Sequence, residues 1–171
     1  NIGDADGDAS TQGTHTYTII DDETALVEFQ AASASDLEAS GGNIPNLIVT
    51  GTVGAAQTID VTVTGGSATG GGTDYTNTVT VTIPAGSYTN QVATAITLTI
   101  VDDALPEGNE DIQFTLANPT AGLNIGDADG DASTQGTHTY TIIDDETALV
   151  EFQAATASDL EASGGNIPNL I

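Results

Sequence analysis

The chain has 171 residues, 25 of them Asp or Glu and none Lys or Arg, for a formal net charge of −25. It therefore carries no basic footprint for nucleic acid or an anionic membrane surface, and no salt bridge to Lys or Arg can form anywhere in it. Cysteine and methionine are also absent, no disulfide or lysine isopeptide bond can brace the fold, and no apolar run approaches the roughly 18 residues of a membrane helix.

In chain order, the first element is a copy of the last. Residues 1–48 recur at 124–171 with one difference, Ser33 against Thr156, so the repeat is 123 positions long (124 minus 1). A period of that size is a whole domain and not a solenoid turn. The boundary falls near Thr24, where the charged run Asp21–Asp22–Glu23 gives way to the apolar ALVEFQ. Residues 1–23 then read as the end of a preceding repeat, 24–146 as a complete module, and 147–171 as the start of the next. The sequence reads as a window cut from a longer protein, with abutting modules and targeting signals elsewhere.

Within the module, apolar residues alternate with Thr and other polar residues. Ile59, Val61 and Val63 form one such series, Val79, Val81 and Ile83 a second, Ile96, Leu98 and Ile100 a third, Ile112, Phe114 and Leu116 a fourth. Period two with β-branched residues predicts half-buried strands, and this patterning argues against disorder despite the charge. Seven strands are expected, at 25–30, 46–54, 57–64, 76–83, 92–101, 111–117 and 137–143. They are separated by turn chemistry at 41–43, 65–74, 84–87, 106–109 and 126–136. Seven short strands in one module predict an all-β, immunoglobulin-like sandwich, repeated in tandem array. His138 is expected on a strand surface.

Two acidic runs stand out, IVDDALPEGNEDIQF at 100–114 and TIIDDE at 141–146. If strands six and seven are antiparallel neighbours, both runs reach one pole, where Asp74 and the turn bearing Asp36 and Glu38 can join them. Converging carboxylates without basic partners must be spread apart, protonated or neutralised by a cation. Hard oxygen ligands from several loops suit Ca²⁺. Mg²⁺ keeps more water, and Zn²⁺ wants the His or Cys that the module lacks in number.

The strings GGTDYT at 71–76, ITLTIVDDALPEGNEDIQFTLANP at 96–119 and TYTIIDDE at 139–146 resemble the Calx-beta module, found in sodium–calcium exchangers and in large bacterial surface proteins. The resemblance covers essentially all of 24–146. It implies a seven-stranded sandwich that binds Ca²⁺ at one end in some members. The matching positions are Glu38, Asp74, Asp103, Glu107, Glu110, Asp144 and Asp145, with Asp102 and Glu146 as additions. Ala104 stands where the densest sites carry a third Asp, which implies fewer ions here.

Asp127, Asp129 and Asp131 open like an EF-hand loop. They lack its glycine at position six (Ala132) and its terminal Glu (His138), so the segment is expected to be the turn before the last strand. It is placed at the opposite pole, either as a flexible acidic turn or with Asp127, Asp129 or Asp131 meeting Ca²⁺ alongside Asp21, Asp22 and Glu23 of the preceding repeat.

The expected function is a structural, calcium-rigidified repeat of an extended extracellular filament or adhesin stalk. Its partners are neighbouring copies of the repeat and other filament chains, without nucleic acid or membrane insertion. The alternative is a module that itself grips a glycan, protein or surface, for which Tyr75 and Tyr88 are the only aromatics near loops. A calcium sensor would need an output domain. No enzyme is expected, because no nucleophile–base order, phosphate loop or aromatic cleft accompanies the acids.

Overall fold

A computed structural model describes residues 14–20, 24–40, 45–158 and 169–171. Among these there is no helix, and eleven strands build the molecule. One sheet runs in the order β10 (Leu123–Ile125), β1 (Ala25–Phe29), β3 (Asn46–Val53), β7 (Gly86–Ala95). The facing sheet runs β2 (Ser33–Leu37), β11 (Thr137–Ile143), β9 (Glu110–Ala117), β4 (Gln57–Gly66), β6 (Thr80–Ile83), and a ribbon of β5 (Tyr75–Asn77) and β8 (Leu98–Ile100) completes the sandwich. The period-two residues supply its core. Val27 and Phe29 from β1, Leu47 and Val49 from β3, Ile59 and Val61 from β4, Ile112 and Phe114 from β9 and Tyr140 from β11 are all buried in one cluster. The all-β sandwich expected from the alternation is the fold.

The strand count differs, for local reasons. The expected strand at 76–83 breaks at Thr78–Val79. There the chain leaves the ribbon, where the Thr78 amide donates to the Thr97 carbonyl, and passes to the β4 edge, where Val61 donates to the Val79 carbonyl. Val79, counted in an apolar face, is 54 % exposed at that crossing. The strand at 92–101 likewise divides into β7 and β8, and β7 begins inside the expected turn at 84–87.

Two strands, β2 and β10, had no period-two signal. Both pair in parallel, β2 with β11 and β10 with β1. Strand β2 carries the sequence SASDL at the sheet edge, and only Ala34 and Asp36 are partly buried. Its formation rests on pairing with β11, because its own side chains offer little apolar surface to bury.

His138 is not on the surface: it is 2 % exposed. Strand β11 is flanked by β2 and β9, and its alternate residues His138, Tyr140 and Ile142 all face the core. The imidazole lies 5.4 Å from the Phe29 ring, its Nδ1 is 2.7 Å from the Ala31 carbonyl oxygen, and burial holds its pKa below the usual histidine value. Ala31 lies in the short crossover where the chain passes from β1 in one sheet to β2 in the other, so the ring ties that crossover to the core.

Candidate metal centre at the acidic pole

The antiparallel pairing of β9 with β11 sets Glu110 opposite Ile142, so the start of one strand and the end of the other share a pole. Strand β2 arrives there in parallel with β11, and the Glu38 amide donates to the Ile143 carbonyl. The loop before β5 is tied in as well, because the Val101 amide donates to the Asp74 carbonyl. Four separate chain segments thus bring their acids to one end of the sandwich.

Two groups of carboxylates form. Glu38, Asp145 and Glu146 can each place an oxygen within 4.8 Å of the others, and so can Asp74, Glu107 and Glu110. The electrostatics are those of uncompensated like charge. Partial burial, reinforced by Glu146, Asp103, Asp144 and Asp145, pushes Glu38 up to about 7. Burial and then the hydrogen bond and charge of Asp74 raise Glu110, with Glu107 and Asp111 adding to it. Burial, then Asp145 and Asp144, raise Glu146.

The polar atoms themselves show what is missing. Asp144 Oδ1 and Glu146 Oε2 are sealed from solvent and accept no hydrogen bond. A carboxylate oxygen in that position lacks compensation for its lost hydration, and no Lys or Arg exists to provide it. The residues present fit a hard divalent cation. Oxygen donors are numerous, come from several loops, and include no thiolate and no imidazole.

Asp103, Asp144 and Asp102 belong to neither three-residue group. Asp103 is felt by Glu38 through its charge while its own Oδ1 accepts from the Leu105 amide at 2.7 Å. Asp102 is exposed.

The GDADGDAS segment is not at the opposite pole. Strand β10 carries the chain along β1, from Leu123 beside Ala25 to Ile125 beside Val27, so the turn at 126–136 folds against the far end of β1. That is roughly 10 Å along the strand from Ala25. Asp21, Asp22 and Glu23, the other half of the expected junction, lie outside the described residues. The turn wraps a residue that sequence reasoning missed. Glu28 is 0 % exposed although it sits on the outer face of β1. Its Oε1 accepts from the amides of Ala128 (2.6 Å) and Asp129 (3.0 Å), and its Oε2 from that of Gln135 (2.8 Å). Asp127 closes the turn from within, accepting from Gly130 at 2.6 Å and Ala132 at 2.9 Å. Ala132 has φ +72°, so the left-handed bend that an EF-hand loop gives to glycine is made here by alanine. Glu28, Asp127 and Asp129 can each place an oxygen within 4.8 Å of the others, whereas Asp131 is engaged with the Ser133 amide at 2.7 Å. The signal for Glu28 was a lone acid inside the apolar run ALVEF.

Comparison with known proteins agrees with this geometry. The sequence pattern of the Calx-beta domain family matches residues 21–146. Among solved structures, the apo form of the Calx CBD1 domain is 18 % identical and superposes with a TM-score of 0.52, covering 72 % of this chain and all of that one. The CBD12 structure from CALX1.2 is 19 % identical with a TM-score of 0.54 over 75 % of this chain. The calcium binding domain CBD12 of CALX1.1 is 18 % identical with a TM-score of 0.52 over the same share. This chain spans about half of each CBD12 chain, 48 and 50 %. At such identities the likeness concerns the fold. No curated protein matches the sequence.

Proposed function

This chain belongs to the Calx-beta domain family, and from that premise we propose that it is a calcium-binding structural repeat of an extended extracellular filament or adhesin stalk. The observation that carries the reading is the pole. Six carboxylates in two groups converge without a cationic partner, and two buried oxygens there, Oε2 of Glu146 within the first group and Oδ1 of the adjacent Asp144, have no donor. Ca²⁺ supplies the missing charge, with Glu38, Asp145 and Glu146 as one ligand set and Asp74, Glu107 and Glu110 as the other. Asp144 and Asp103 lie close enough to add to the first set's field.

The position of the first set gives calcium a mechanical role. Asp144, Asp145 and Glu146 are followed at once by Thr147–Ala148, the counterparts of Thr24–Ala25 at the start of β1. A cation that holds Asp145 and Glu146 against Glu38 fixes the last residues of one repeat, and with them the direction in which the next repeat leaves. Repetition of nearly the same sequence suits length and stiffness. The adhesive alternative loses one of its two candidate aromatics, because Tyr75 is 5 % exposed; the other, Tyr88, gives its hydroxyl to the Pro84 carbonyl at 2.8 Å.

Calorimetric titration of the chain checks the ion. Saturable heat with Ca²⁺, in the range of about 10⁻⁴ to 10⁻³ M typical of extracellular modules, and a much weaker response to Mg²⁺ is the expected result. Equal affinity for both ions would identify diffuse screening of an acidic surface and remove the site.

A further inference from the structure

Strand β2 is held by little of its own. It lies at the edge of its sheet beside β11, and only Ala34 and Asp36 of its five residues are partly buried. A short strand with so little apolar burial opens locally at a small part of the cost of unfolding the domain. The strand before it is better secured. The Phe29 amide donates to the Gln135 carbonyl at 2.9 Å and the Gln30 amide to the Asn46 carbonyl at 2.9 Å, so β1 stays fixed up to Gln30. The crossover at 31–32 is the hinge on which β2 can swing.

Two bonds tie that crossover to β11. The Thr139 amide donates to the Ala32 carbonyl at 3.0 Å, and His138 Nδ1 donates to the Ala31 carbonyl at 2.7 Å. A carbonyl only accepts, so Nδ1 carries the proton and Nε2 of the neutral ring is left as an acceptor. That Nε2 is sealed from solvent and has no partner. An imidazolium would place a second N–H and a charge there, where the core supplies no acceptor.

The surroundings of the ring supply no counter-charge. Phe29 faces it from β1, Ala31 from the crossover and Phe114 from β9, and Tyr140 is the next inward residue on β11. The Tyr140 hydroxyl is itself buried without a partner, so it does not reach the ring. The acids of these elements lie elsewhere. Glu28 is on the outer face of β1, with the turn bearing Asp127, Asp129 and Asp131 wrapped around it. Asp36 of β2 lies opposite Ile142, and Asp111 and Glu110 of β9 lie opposite Thr141 and Ile142. All three are roughly 10 Å or more along the sheet from His138.

We propose that His138 is an acid-released latch on β2: the neutral ring holds the crossover against the core through Nδ1, and a proton on Nε2 frees the crossover and lets β2 leave the sheet edge, carrying Glu38 out of the acidic pole. Burial lowers the His138 pKa against the opposing pull of the Ala31 carbonyl, which is the direction such a release requires. A ring freed into water regains the ordinary value of 6.5 and binds a proton more readily than the docked ring. Docking of β2 is therefore strongest above 6.5 and weakens as the pH falls. At the far end of β2 the Glu38 amide donates to the Ile143 carbonyl, so release withdraws Glu38 from its group with Asp145 and Glu146. The loss of an ion ligand rests on the calcium reading; the latch does not.

Amide hydrogen exchange of the full chain, read residue by residue by NMR in chelator at pH 7.5 and pH 5, tests the latch. Each rate is divided by the intrinsic rate of that amide at that pH. His138→Asn keeps a side-chain N–H near the Nδ1 position and does not titrate. Relative to this variant, wild-type opening at the Thr139 and Glu38 amides is expected to rise by about threefold to thirtyfold on acidification. Roughly thirtyfold is the ceiling at pH 5 for a group that titrates at 6.5 once released. The Val61 amide, which donates to the Val79 carbonyl at the other edge of the same sheet, is expected to show no such rise. An equal rise at Val61 would mean that acid unfolds the whole sandwich, and it overturns the local latch. An unchanged ratio at all three amides overturns it as well. If His138→Asn does not fold, the ratio of Thr139 to Val61 opening in Glu38→Gln decides, because that variant removes the pole carboxylate that moves with β2. The ratio rises on acidification if the latch exists, and a constant ratio overturns it. Chelator keeps the ion out of the measurement, so failure of the latch and failure of the calcium site are separate results.

Discussion

Replacing Glu28 with Ala destabilises the module by about 3 kcal/mol, since one buried and two partly buried backbone amides lose their acceptor, at roughly 1–3 kcal/mol for a buried one and less for the others. Those amides belong to Ala128, Asp129 and Gln135, and the same turn returns the Gln135 carbonyl to the Phe29 amide. Losing the carboxylate thus loosens the turn and the edge of β1 together. A loss of that size is a large part of the roughly 5–15 kcal/mol that holds a domain folded. Glu28→Gln also destabilises, because an amide NH₂ then faces a backbone N–H. Urea unfolding gives the answer as a lower midpoint at unchanged slope. A change below about 1 kcal/mol for the alanine variant would place Glu28 among ordinary surface charges.

Calcium-free protein becomes more stable as the pH falls from 8 to 5. Glu38 is raised from 4.5 to about 7 in the folded state, so between those values the folded chain holds a proton that the unfolded chain releases. Its contribution is fully present below 4.5 and is lost as the pH rises through 7. Glu110 and Glu146 are raised as well and act in the same sense. His138 acts oppositely, because its lowered pKa contributes stability above 6.5 that is lost as the pH falls. Glu38→Gln isolates the carboxylate. In chelator at pH 8 this variant melts higher than wild type and shows a shallower pH dependence. In calcium it melts lower, having lost a ligand. Thermal melts at pH 8, 7, 6 and 5 check both signs. An unchanged pH slope in Glu38→Gln would show that the pole's repulsion does not act through Glu38.

The sandwich was legible because its inner strands alternate. Ile59–Val61, Ile112–Phe114–Leu116 and Tyr140–Ile142 bury one face and expose Thr on the other, and period two has no other physical reading. The same rule, applied two residues earlier on β11, places His138 in the core, yet a polar side chain invites the opposite assignment. Strands β2 and β10 were hidden because their order comes from parallel neighbours far along the chain. The breaks at Val79 and Ile96 were hidden because apolar alternation continues through them while the backbone changes partners.

At the pole, chain order and antiparallel pairing were enough to bring Asp74, Glu107 and Glu110 together, and to set Glu38 against Asp145 and Glu146. The same acids therefore connect the sequence, the fold and the proposed ion. Glu28 was beyond reach for another reason. Outward positions on β1 read as solvated until a turn one hundred residues away is known to lie on them.

Thermal unfolding of the full chain, in millimolar calcium and in excess chelator at pH 8, tests the calcium-bound pole most directly. An ion that binds only the folded form raises stability by about 1.4 kcal/mol at ten times its dissociation constant, the ratio that millimolar calcium reaches for a constant of about 10⁻⁴ M. That is several degrees in melting temperature for a domain of this size. The account predicts such a rise in calcium, absent with an equal concentration of magnesium. Superimposable melts in calcium and chelator would contradict it, leaving the acids of the pole as a solvated surface on an intact sandwich.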